Sequence, residues 1–221
     1  MRKGILYDHA FANGEVFGKP SGIWIWDWLK HRHNDTLREV RKLWSTFESR
    51  SFLGNGVKLG LNSRMVNLSS PGNVMIGDRT VIRGIIRNES GGRIRIGADV
   101  YLGDCSIISC LSLVEIGEYS LIAHGVQIFD NDTHPMDAMQ RQLHFDSIRG
   151  MTPASIFNIA TRPVIIGKHV WVGMNSMIMK GVTIGNETVI AAGSVVTHDL
   201  PANVIASGNP ARAIKASTPS K

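Results

Sequence analysis

The chain has 221 residues, enough for one domain of ordinary size and an appendage. Its 24 Lys and Arg against 18 Asp and Glu leave a net charge of +6, a mild basic bias that favours anionic ligands. No Arg/Lys run with interleaved aromatics marks a nucleic-acid surface, and no apolar stretch is long enough to span a bilayer. The two cysteines, Cys105 and Cys110, read as reduced thiols of a cytoplasmic protein rather than a disulfide framework.

Residues 1–51 form an appendage of separate character. Trp24, Trp26 and Trp28 cluster ahead of Lys30, His31, Arg32 and His33. From Asp35 to Phe47, the helical spacing of Leu37, Val40, Arg41 and Trp44 predicts a helix. The tryptophans have two readings. They pack on the main domain or a neighbouring subunit, or they anchor the chain weakly at the inner face of a membrane.

From residue 52 to 207 a period of six takes over, which fits neither a helix nor a plain alternating strand. Leu53, Leu59 and Met65 hint at it; Ile76 and Ile82 keep it; Ile96, Leu102, Ile108 and Val114 hold one register; Ile116, Ile122 and Ile128 restart it. Ile166, Val172, Ile178, Ile184, Ile190 and Val196 then run without a miss, and Val170, Ser176, Val182, Thr188, Ser194 and Leu200 follow them four residues later. Such a run arises by chance on the order of once in ten thousand registers. It predicts an all-β architecture, a parallel β-helix of hexapeptide repeats, with Ile-Gly pairs at corners where Gly supplies unusual backbone angles.

The period lapses over residues 129–163, a protruding loop that opens Phe129-Asp130-Asn131-Asp132-Thr133-His134-Pro135-Met136-Asp137. A long insertion on a rigid scaffold is a place for function. His134, at its root and flanked by Asp130, Asp132 and Asp137, is the candidate general base. A carboxylate or carbonyl on one imidazole nitrogen would leave the other free for a proton. Residues 208–221 read as a tail.

Several segments carry a resemblance. Pro163-Val164-Ile165-Ile166-Gly167-Lys168-His169-Val170-Trp171-Val172-Gly173, Gly181 to Gly185, Val189 to Thr197, the His134-Pro135 pair and the ending Gly208-Asn209-Pro210-Ala211-Arg212 resemble hexapeptide acyltransferases. The likeness is to the maltose and galactoside O-acetyltransferases and the sugar O-acetyltransferases of polysaccharide clusters. The resemblance covers about residues 94–215. It implies a left-handed β-helix, a homotrimer with active sites between subunits, and acetyl-coenzyme A as acyl donor with no metal. It places His134 as catalytic base and Trp171 at the acceptor end; Asp132 and His144, which share the loop with His134, are further candidate substrate contacts. Gly173, Ala192, Gly193, Thr197, Arg212 and Lys215 fall at donor contacts. Met174 stands where relatives have a small residue, and His198 where many have Lys. Gly103 and Leu111 do not match the polar acceptor residues of the galactoside enzymes.

The implied reaction is direct transfer of acetyl to a sugar hydroxyl, in surface-polysaccharide synthesis, with His134 removing the hydroxyl proton and a backbone N–H after Trp171 holding the oxyanion. N-acetylation of a nucleotide-linked amino sugar is the alternative within the fold. Outside the transfer reaction, but on the same fold, stand a non-catalytic hexapeptide scaffold and a zinc enzyme, for which only His124 stands at a plausible height.

Overall fold

A computed structural model describes residues 16–19, 31–151 and 157–217. The tryptophan cluster at 24, 26 and 28 lies outside them. The repeats wind into a three-faced prism of parallel strands, the β-helix expected, with two six-stranded faces and one nine-stranded face. The first face stacks strands Phe52–Leu53, Val74–Ile76, Arg93–Ile96, Leu113–Ile116, Val164–Ile166 and Thr183–Ile184. The second includes Tyr101–Leu102, Leu121–Ile122, Trp171–Val172 and Val189–Ile190; the third includes Ile107–Cys110, Gln127–Phe129, Met177–Ile178 and Val195–Val196.

Strand register explains the sixfold period. On the second face Leu102, Ile122, Val172 and Ile190 are direct neighbours from coil to coil, and all are buried. Each such side chain contributes roughly 1.5–3 kcal/mol through burial. The residues two places earlier are buried too, and several are hydroxyls. Ser120 Oγ donates to Gly167 O (2.9 Å) and accepts from Val170 N–H (3.1 Å). Thr80 and Ser106 repeat this bridge on other coils. A small hydroxyl at the corner thus satisfies backbone groups that the bend leaves unpaired.

The Ile-Gly pairs hold for a different reason from the one the sequence suggests. The residues with left-handed backbone are not those glycines but Arg79, Asp99, Tyr119, His169 and Glu187, each two places on. A Cβ on Gly117 would lie 2.6 Å from the backbone of Gly167, and one on Gly185 2.3 Å from Ala202 N. Gly is required by the close stacking of coils, not by its torsion angles.

Helix α1, His31–Arg50, caps one end of the prism. Its buried stripe is Val40, Trp44 and Phe47, with Leu43 partly buried; Arg41 is exposed. At the other end, residues 211–216, read as tail in the sequence, form a strand antiparallel to Val204–Gly208. Both ends of the column are therefore covered, as stacked repeats require. No described helix is long and apolar enough to cross a membrane.

A polar column runs up the edge between the third and first faces: Asn67, Asn88, Cys110 and Asp130, all buried. Both cysteines are free thiols, Cys110 buried and Cys105 exposed. Burial, and next the neighbouring Asp130 carboxylate, push the Cys110 thiol far above its ordinary range. The folded state therefore favours the protonated thiol. That stabilisation is complete below the thiol's ordinary range near pH 8.5–9 and fades as pH rises above it. At pH 8 a thiol reagent is expected to label Cys105 alone, with Cys110 reacting only after denaturation. Two thiols titrating in the native protein would contradict this.

Candidate functional site

The insertion leaves the scaffold at the edge between the third and first faces. The strand runs through Phe129, and the next coil begins at Val164. Within it the structure adds an element the sequence did not signal, helix α2, Ala138–Ile148, capped by Asp137 Oδ1 accepting from Gln140 N–H (2.9 Å). None of its side chains is buried, so no core-facing stripe existed to be read.

The three aspartates do not orient the His134 ring. Asp130 turns inward, fully buried, and accepts the N–H groups of Leu111 (2.8 Å), Ser112 (2.7 Å) and Leu113 (2.8 Å). Asp132 forms an ion pair with Lys180 of the next coil, and its carbonyl accepts the His134 N–H. Asp137 is spent as the helix cap. The partner of the imidazole is another imidazole: His134 Nδ1 lies 3.1 Å from His144 Nδ1, and His144 packs against Phe157 with ring centroids 4.7 Å apart.

Asn131 builds the turn that presents His134. Its side-chain carbonyl accepts the Thr133 N–H (2.9 Å), while its amide donates to Asp130 (2.9 Å) and to Ser109 O (3.2 Å). Its backbone bridges Thr161 and closes the neck of the insertion. Thr133 is thereby held at φ 61°, a conformation that costs a β-branched residue on the order of 1–3 kcal/mol. The sequence placed Asn131 three residues before His134 without marking its role. Lys180, distant in sequence, carried no signal at all.

Part of the expected donor path lies on another edge, between the second and third faces. Met174, Ala192 and Gly193 occupy successive corners there, with Gly193 N–H donating to Met174 O (2.8 Å). A Cβ on Gly173 would lie 2.5 Å from Ala192 N, so Gly173 keeps this edge tight. Met174, Ala192 and Gly193 themselves are exposed. Thr197 hydrogen-bonds His198 Nδ1 (2.8 Å) just after the last third-face strand, and Arg212 and Lys215 are exposed on the C-terminal strand. Trp171 stands on the second face, 53% exposed, in line with Leu121 and Val189. His124 is engaged with Asp104 (3.3 Å) on the same edge as Met174. No three His, Cys, Asp or Glu among the described residues are grouped as metal ligands.

His134 and His144 therefore lie on one edge, and Met174, Ala192 and Gly193 on the next, separated by the width of the third face. Three or four extended residues span roughly 10–13 Å. One chain does not bring Trp171 or Ala192 to His134.

Residues 163–198 match the family model for bacterial transferase hexapeptide (six repeats). Nodulation protein L of Rhizobium meliloti (strain 1021) is 35% identical over 212 residues, covering 96% of this chain and 94% of that protein. Galactoside O-acetyltransferase of Escherichia coli (strain K12) is 53% identical over 53 residues, 24% of this chain and 26% of that one. Among solved structures, AntD, an N-acyltransferase from Bacillus cereus in complex with dTDP and 3-hydroxybutyryl-CoA, superposes with a TM-score of 0.60. It is 22% identical, over 83% of this chain and 87% of that one, a likeness of fold.

Proposed function

Since the chain belongs to the hexapeptide-repeat acetyltransferase family, we propose that it transfers acetyl from acetyl-coenzyme A to a sugar hydroxyl, with His134 as general base, in the synthesis of a surface polysaccharide. The observation that carries this reading is the presentation of His134. An exposed imidazole sits on a braced turn with Nδ1 engaged by His144, and Nε2 has no protein partner among the described residues. A sugar hydroxyl holds its proton at neutral pH, so it attacks a thioester usefully only as that proton leaves. Nε2 takes the proton as the hydroxyl oxygen attacks the thioester carbon. The carbon–sulfur bond then breaks, and the imidazolium returns the proton to the departing thiolate. No acyl-enzyme forms.

The oxyanion donor follows from a hydrogen-bond count after Trp171. Gly173 N–H donates to Ile190 O and Asn175 N–H to His124 O, both within the coil stacking. Met174 N–H has no partner among the described residues and lies on the donor edge, so it is assigned to the oxyanion. Ala192, Gly193 and Thr197 line the proposed path of the pantetheine arm, and Arg212 and Lys215 face the nucleotide phosphates. Trp171 and Asp132 contact the acceptor. The separation of the two edges by one face supports a homotrimer in which each site takes His134 from one subunit and the donor edge from its neighbour.

A second reading, N-acylation of a nucleotide-linked amino sugar, is favoured by the likeness of fold to the Bacillus cereus N-acyltransferase. Acetyl-coenzyme A consumption against galactosides, polysaccharide repeat units and nucleotide-linked amino sugars separates the two. Transfer to a hydroxyl is the expected result, and transfer to amines alone would install the second reading. No transfer together with no coenzyme A binding would leave a scaffold protein.

A further inference from the structure

We propose that His144 is a positioning residue for the transfer reaction: its Nδ1 accepts the Nδ1–H of His134 and so fixes the base in the tautomer whose Nε2 is unprotonated. The proposal rests on the general-base reading of His134 and goes beyond it, because the residue expected to contact substrate acts instead on the base.

Geometry supports the assignment from three sides. The two Nδ1 atoms are 3.1 Å apart, so one of them carries the shared hydrogen and the other accepts it. A base that works through Nε2 must carry that hydrogen on its own Nδ1, which makes His144 the acceptor and the Nε2–H tautomer. The nearby carboxylates are committed elsewhere: Asp130 to the corner N–H groups, Asp132 to Lys180, Asp137 to the helix cap, and Asp146 to Gln142 Nε2 (3.1 Å). Arg141, the nearby cation on α2, donates to the carbonyls of Pro135 and Met136 and folds the helix back toward the base. His144 is itself held by the Phe157 ring, on the strand side of the insertion.

A histidine acceptor behaves differently from a carboxylate. It is neutral while it accepts, and it stops accepting once it is protonated. The pair binds one proton with the hydrogen bond intact, whereas a second proton breaks the bond and sets two imidazolium ions against each other.

The test compares His144→Ala and His144→Asn with the wild type, using acetyl-coenzyme A and a galactoside acceptor. Circular dichroism confirms folding, and His134→Ala is run in parallel. The alanine variant is expected to lose about 10- to 100-fold in kcat, with both KM values within about threefold. Asparagine, whose Oδ1 reaches the Nδ1 position and accepts the same hydrogen, restores most of the loss. Full kcat in His144→Ala, or a raised acceptor KM with kcat intact, overturns the proposal while His134→Ala remains inactive. Activity in His134→Ala would instead overturn the general-base reading. Imidazole nitrogen NMR on histidine-labelled protein gives a second decision that needs no acceptor. The expected pattern is Nδ1–H on His134 and Nε2–H on His144, and the reverse pattern refutes the assignment.

Discussion

His134→Ala is expected to lower kcat by at least 100-fold at neutral pH and to leave coenzyme A affinity within about twofold of the wild type. The size follows from what the base supplies. Without it the acceptor hydroxyl attacks carrying its proton, and the thiolate leaves unprotonated. The insensitivity of donor binding follows from the contacts proposed for coenzyme A, because Ala192, Gly193, Thr197, Arg212 and Lys215 are all retained in the variant. Stability is expected to be unchanged, since the His134 ring is exposed and its Nδ1 partner is His144. Initial rates with acetyl-coenzyme A and calorimetric titration with coenzyme A check both halves. Wild-type turnover would end the general-base assignment. A matching loss of coenzyme A affinity would make His134 a binding residue instead.

The scaffold was legible because its physics is periodic. Every sixth residue from Ile166 to Val196 points inward because each two-residue strand from Trp171 onward buries its second residue, and the residues four places on fill the corners. The insertion was legible as an interruption but not in content. Helix α2 buries nothing, and a segment that faces water or another molecule leaves no burial pattern in its own sequence. His134 was found through its neighbours, yet those neighbours misled. Three aspartates beside a histidine suggest a carboxylate partner, and side-chain direction sends each elsewhere. The actual partner, His144, sits ten residues on, brought back by a helix the sequence did not announce. The contact between Asp132 and Lys180 depends on coil stacking and has no local trace.

The largest stability effect is expected at Asp130, a residue the sequence assigned to the base. Asp130→Ala removes the acceptor of three adjacent backbone N–H groups, those of Leu111, Ser112 and Leu113, together with the Asn131 amide and the Cys110 thiol. Leaving a buried donor unsatisfied costs about 1–3 kcal/mol each, and part is recovered where water reaches the half-exposed corner. The expected loss is about 3–5 kcal/mol, or roughly 10 °C in Tm for a chain of this size. Asparagine is expected to recover less than half of it. Asn67 and Asn88 fit the same column by donating their amides to carbonyls, whereas Asp130 faces N–H groups on both oxygens. An amide there must turn a donor toward donors. Turnover should fall further than the unfolded fraction explains, because Asn131 leans on Asp130 to hold Thr133 and therefore His134. Urea unfolding and kcat of the two variants check this order, and a loss under 1 kcal/mol in Asp130→Ala would show that water caps the corner equally well.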